Sequence, residues 1–138
     1  FRSPSWFRNV GGTGFETGAG WEAIPRAMYR GLAAADLDDD GCLDIVLTAL
    51  QEKARALRNP CASGNHWVEV TPGRGAARVR VDDQWREAHT TAGYASSNAG
   101  PLHFGVSGKL DVEVEVVWFD GRSTTLRTPV DRRIRVSR

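Results

Sequence analysis

Short apolar and β-branched runs recur along the chain, and clusters of Gly, Pro, Asn and Asp separate them. Almost nothing repeats with the 3.6-residue period of an amphipathic helix. The pattern predicts an all-β protein. In the first half it places strands at Trp6–Val10, Gly31–Ala35, Ile45–Leu50 and Ala54–Asn59. In the second it places them at His66–Val70, Ala76–Val81, Trp85–Thr90, Leu102–Val106, Val112–Phe119, Ser123–Leu126 and Ile134–Val136. Trp21–Tyr29 is the one helix candidate, but Pro25 interrupts it and favours a loop. The stretch Pro60 to Asn65 has the composition of a boundary, giving domains over 1–62 and 63–138.

The most informative segment is Asp36-Leu37-Asp38-Asp39-Asp40-Gly41-Cys42-Leu43-Asp44, which puts carboxylates at loop positions 1, 3, 5 and 9 and a Gly at the sharp turn. Calcium takes about six to eight hard oxygens at about 2.3–2.6 Å, and alternate residues of a tight loop can aim several carboxylates at one centre. The expected ligands are the side chains of Asp36, Asp38, Asp40 and Asp44 and the main-chain carbonyl of Cys42, with Asp39 pointing outward. Without a cation these charges repel, each close pair by about 1 kcal/mol at 4 Å in water. An EF-hand would need a bidentate Glu at its twelfth position, and Leu47 stands there inside a β-rich run. The missing Glu predicts weak binding, roughly 10⁻⁴ to 10⁻³ M. A solvated acidic turn and a magnesium site are the alternatives.

Charge adds little. Eighteen basic and 17 acidic residues leave a formal charge of +1, so no bulk attraction to nucleic acid or to an anionic membrane is expected. Six Arg in residues 122–138 read as alternating positions on exposed strand faces. No apolar run approaches the roughly 18 residues of a membrane-spanning helix. A chain opening at Phe1 is expected to be a processed product or a piece of a longer polypeptide.

The two cysteines add a compartment argument. If Ile45–Leu50 and Ala54–Asn59 form a hairpin around Gln51-Glu52-Lys53, partners across it sum to 103 or 104, and Cys42 and Cys61 fall opposite each other. A disulfide there would contribute around 3 kcal/mol and imply an oxidising environment. Two reduced, partly buried thiols are the alternative.

Phe7-Arg8-Asn9 recurs as Leu57-Arg58-Asn59, fifty residues on, a spacing that suits a propeller blade. With Val10-Gly11-Gly12-Thr13-Gly14-Phe15, Arg30-Gly31-Leu32-Ala33-Ala34-Ala35 and the Asp loop, the first half resembles the FG-GAP/VCBS repeat, a calcium-binding blade of integrin-type β-propellers. That resemblance implies calcium at Asp36, Asp38, Asp40 and Asp44. The second half resembles the ASPIC/UnbV domain through Asn65-His66-Trp67, Gly75-Ala76-Ala77-Arg78-Val79-Arg80-Val81, Gly93-Tyr94, Leu102-His103-Phe104-Gly105 and Val117-Trp118-Phe119-Asp120-Gly121-Arg122. It departs at Ala95-Ser96-Ser97-Asn98, where the family often has Ser-Gln. The family includes secreted cartilage-matrix proteins and proteins encoded beside bacterial enediyne biosynthesis genes. The two resemblances imply a single blade followed by a β-sandwich-like or barrel-like domain.

No catalytic signature is present: Gly-x-Ser-x-Gly, His-Glu-x-x-His and Cys-x-x-Cys are all missing. Of the three His, His66 and His103 read as structural, and His89, in a polar loop, is the one catalytic candidate. Trp67 and Trp118 alternate with Val and are expected in the core, whereas Trp6, Trp21 and Trp85 lie near turns. Trp21, Trp85 and Tyr94 are the residues of a candidate ligand groove. The run from Asp111 to Val116 reads as a strand with one wet acidic face.

These readings converge on a calcium-binding interaction module with structural Ca2+ and no catalysis of its own, in an extracellular setting. Its partner would be a protein, missing propeller blades or a second copy, joined at the exposed blade edge. One alternative is an accessory or cyclisation protein of enediyne-type polyketide biosynthesis that binds a hydrophobic small molecule, which would be cytoplasmic. Another is a carbohydrate-binding adhesion module.

Overall fold

A computed structural model describes residues 3–18, 24–61, 64–88 and 100–138. Twelve strands and no helix occur among them: β1 (Phe7–Asn9), β2 (Phe15–Thr17), β3 (Tyr29–Ala35), β4 (Asp44–Ala49), β5 (Arg55–Leu57), β6 (His66–Pro72), β7 (Ala76–Val81), β8 (Gln84–Glu87), β9 (Leu102–Ser107), β10 (Asp111–Trp118), β11 (Ser123–Pro129) and β12 (Arg132–Val136). The protein is all-β. It divides into two compact units, residues 1–37 with 43–59, and residues 38–42 with 60–138, so the tip of the Asp loop groups with the second unit.

In the first unit β1 and β2 form a hairpin, and β3, β4 and β5 form an antiparallel sheet in that order. Gly and Thr around residues 11–14 concealed β2 from the sequence pattern. The side chain of Asn9 accepts a hydrogen bond from the Gly12 amide at 2.8 Å, which turns the chain between β1 and β2. The two members of the short repeat occupy different places: Phe7-Arg8-Asn9 is all of β1, whereas Leu57-Arg58-Asn59 runs off the end of β5. The hairpin of β4 and β5 is shifted in register, and its connection is longer than the sequence suggested, with five residues between Ala49 and Arg55. Ile45 pairs with Leu57, Val46 with Ala56 and Leu47 with Arg55, so partners sum to 102 and the turn centres on Gln51. Gln51 takes a positive φ of 61°, which closes the turn one residue earlier. The unit buries little: Ile24, Ala27 and Leu47 are its buried apolar side chains among the described residues.

The second unit is a two-layer sandwich. One sheet runs β11-β10-β7-β8, all antiparallel, and the other runs β12-β6-β9. Strict alternation drives the packing: Val112, Val114, Val116 and Trp118 of β10 face inward, and Asp111, Glu113 and Glu115 face out. They meet Val79 and Val81 of β7, Val68 and Val70 of β6, Phe104 and Val106 of β9, and Val136 of β12 in one core. Each such fully buried side chain contributes about 1.5–3 kcal/mol relative to exposure. Neither sheet closes on itself among the described residues, so the sandwich alternative stands and the barrel does not.

The wet acidic face of β10 is matched across the sheet. Arg80 on β7 donates to Glu115 at 2.9 Å and to Glu113 at 3.0 Å, and Arg127 on β11 pairs with Asp111. β12 lies parallel to β6, with Arg132 beside Val68 and Val136 beside Pro72. Asp131 starts that strand by accepting from His66 Nδ1 at 2.7 Å and from the Trp67 amide at 3.3 Å. His66 thereby ties the start of β6 to the start of β12. Phe119, expected at the end of a strand, lies just beyond β10 and is 80% exposed.

Candidate metal centre

The chain leaves β3 at Ala35 and enters β4 at Asp44, and the Asp loop spans the gap. Within it Asp36, Asp38 and Asp40 each present a ligand oxygen, all within 4.8 Å of one another. The spacing of two puts these carboxylates on the same side of the turning chain, as the sequence pattern implies. Three carboxylate oxygens converging in a loop form a hard, anionic donor set that fits a calcium or magnesium ion and offers nothing soft. A second group, Asp40 with Cys42 and Cys61, also lies within 4.8 Å. It does not fit a metal, because Cys42 and Cys61 are joined in a disulfide, with their Cα atoms 5.6 Å apart.

Asp44 behaves differently from the other three. It is 2% exposed, and its two oxygens accept from the Leu37 amide at 3.1 Å and the Asn59 amide at 2.8 Å. Its carboxylate closes the base of the loop and ties it to the chain after β5. Asn59 adds a contact from its own amide to the Leu43 carbonyl at 3.4 Å.

The tip of the loop belongs to the second unit and is held there by side chains that the sequence did not single out for this role. Gly41 has φ of +88°, and a Cβ there would lie 1.8 Å from Nε1 of Trp67. Only glycine satisfies both the backbone and the ring above it. Trp67 thus leaves the core position its alternation with Val predicted. It is half-buried and stacks on His103, with ring centroids 6.0 Å apart and planes 8° from parallel. His103 Nε2 lies 2.8 Å from the Gly41 carbonyl. A carbonyl only accepts, so Nε2 carries the proton.

The next peptide atom continues the chain of contacts. The Cys42 amide, in the same peptide group as the Gly41 carbonyl, donates to Asp40 Oδ1 at 2.9 Å. Asp39 is exposed, as expected of the outward position, yet it bonds Nη1 of Arg133 at 2.6 Å. Arg133 in turn pairs through Nε with Glu69, whose side chain is buried. Hydrogen bonds to Asp39 and then Glu69 hold the Arg133 guanidinium above its ordinary pKa. In the Arg-rich C-terminal stretch, Arg122, Arg127, Arg133 and Arg138 have acidic partners.

The remaining candidates divide by location. His89, Trp21 and Tyr94 lie outside the described residues. Trp85 is described and is 45% exposed, but Arg78 sits over its ring at 4.5 Å and Arg80 at 5.7 Å, so its face is shared with cations from β7. Trp6 packs against Gly18, where a Cβ would lie 1.8 Å from the indole.

The sequence model of the ASPIC and UnbV family matches residues 63–138, more than half of the chain. No curated protein and no solved structure matches it. The chain belongs to the ASPIC and UnbV family.

Proposed function

We propose that this ASPIC/UnbV member is a calcium-binding interaction module, in which a structural Ca2+ ion sits in the Asp36–Asp44 loop and the protein performs no catalysis of its own. The observation that carries the reading is the convergence of Asp36, Asp38 and Asp40 within 4.8 Å in a loop whose turn is fixed by Gly41. Their three carboxylates, with the Cys42 carbonyl, would hold the ion, whereas Asp44, the fourth expected carboxylate ligand, would brace the loop through the Leu37 and Asn59 amides. When bound, calcium supplies charge neutralisation and a rigid loop, linking metal affinity to folding. The segment 1–62 would be a single FG-GAP/VCBS-like blade. The Cys42–Cys61 disulfide supports an oxidising, extracellular setting.

The interaction half of the proposal rests on the first unit. Among the described residues β3 is an edge strand of its sheet, six of its seven residues are exposed, and Leu32 is 62% exposed. Such an edge offers main-chain donors and acceptors to an added strand, from a further blade, a protein partner or a second copy.

The test is native mass spectrometry of the oxidised chain with and without chelator. One calcium is expected, stripped by chelator and lost in Asp38→Asn/Asp40→Asn, while Asp83→Asn, on an exposed turn, retains it. No bound calcium at millimolar supply would refute the reading.

A further inference from the structure

Three strands of one sheet, β6, β9 and β12, send Trp67, His103 and Arg133 to three groups of the loop tip: the Gly41 Cα, the Gly41 carbonyl and the Asp39 carboxylate. None of the three is among the metal-binding candidates. We infer that His103, backed by Trp67, is a positioning residue of the calcium loop, setting the orientation of the Asp40 carboxylate through the peptide between Gly41 and Cys42. The inference rests on the calcium reading and goes beyond it by making a side chain of the ASPIC/UnbV sandwich a determinant of metal affinity.

The geometry supplies the mechanism. A peptide group is planar, so fixing its carbonyl fixes its N–H. His103 Nε2–H holds the Gly41 carbonyl at 2.8 Å, and the Cys42 N–H, in the same plane and pointing from its opposite edge, donates to Asp40 Oδ1 at 2.9 Å. The imidazole cannot rotate freely, because it stacks on Trp67. Trp67 in turn lies where any side chain at residue 41 would have to stand. Arg133 acts on Asp39, the residue before Asp40: its guanidinium, shared with Glu69, partly offsets the five negative charges of the loop without using a ligand carboxylate. Outer partners of this kind orient metal ligands, and removing one typically costs about 10- to 100-fold in metal affinity.

The experiment is calorimetric titration of CaCl2 into the full oxidised chain, comparing the parent with His103→Phe and His103→Gln. Phe preserves a flat ring against Trp67 but has no donor; Gln places an amide N–H close to where Nε2 stands. The expected result is roughly tenfold weaker calcium binding for His103→Phe and affinity within about twofold of the parent for His103→Gln, since the donor is restored. Protection of the Cys42 amide from hydrogen exchange in chelator should fall in the Phe variant and return in the Gln variant. If His103→Phe does not fold, His103→Asn, whose amide is too short to reach Gly41, takes its place. Equal affinity of the donorless variant and the parent would overturn the inference and leave the calcium reading standing, as would a Gln variant as weak as the Phe variant. A parent chain that binds no calcium would overturn the calcium reading itself, and the inference with it.

Discussion

Replacing Gly41 with Ala separates two costs that the structure assigns to one residue. The first is conformational: at φ of +88° an L-residue pays about 1–2 kcal/mol that glycine does not. The second is steric. The new Cβ would lie 1.8, 2.2 and 2.4 Å from three atoms of the Trp67 indole, so the ring must leave its place. Its departure gives up the stack on His103, about 1 kcal/mol, and frees the His103 hydrogen bond to Gly41, about another 1 kcal/mol. The total is about 3–4 kcal/mol. Gly121 is the control, because its φ is +83° and nothing lies within 4 Å of its Cβ position. Gly121→Ala should therefore cost only the conformational part, about 1–2 kcal/mol. Both glycines belong to the second unit, where 1 kcal/mol shifts the melting temperature by about 4–8 °C for a domain of its size. Thermal melting followed by circular dichroism in chelator, which removes any metal contribution, should show Gly41→Ala melting about 10 °C or more below Gly121→Ala. Equal melting temperatures would refute the close approach of Trp67 to the loop tip.

Three further outcomes follow from the same structure. Replacing both cysteines by Ser, or reducing the disulfide with a dithiol, should lower stability by about 3 kcal/mol, given 19 residues of separation; an unchanged urea midpoint would refute the bridge as a stabilising element. Phe104→Ala should cost about 3–5 kcal/mol, because Phe104 is fully buried, while Phe119→Ala at an exposed turn should stay within about 0.5 kcal/mol; similar urea midpoints for the two would contradict the core assignment. Burial pushes the Asp82 carboxyl up, but hydrogen bonds from Lys109 and from the Glu113 amide outweigh it and hold its pKa below the ordinary value. The hydrogen bond to Asp82 holds the Lys109 ammonium above its own. The stability this carboxylate adds is present above its unfolded value of about 3.9 and is lost as pH falls through the lower folded one. The ammonium's share is present below about 10.4 and is lost as pH rises through its higher folded value. Lys109→Met should therefore shrink the loss of urea midpoint between about pH 5 and about pH 2; an undiminished loss would remove Asp82 from the acid response.

Much of this protein was legible in the chain itself, because the signals involved are local. Alternation along Val112, Val114, Val116 and Trp118 fixes which face of β10 is buried, since side chains of a strand point to opposite sides at every step. The spacing of Asp36, Asp38 and Asp40 was also readable, but their convergence comes from the tight turn at Gly41 and not from strand alternation, which would leave them projecting in parallel. Register resisted reading: one positive-φ residue, Gln51, moved the β4–β5 turn, and no pattern in the flanking apolar residues announced it. The tertiary structure alone decided what holds the loop. Asp39 and Arg133 lie far apart in sequence, and Gly41 and His103 are 62 residues apart, so no periodicity links them. Only when β6, β9 and β12 pair side by side do Trp67, His103 and Arg133 reach one place. Trp67 looked like a core residue because alternation reports which face a side chain takes, whereas what stands opposite that face is settled by packing between segments distant in sequence.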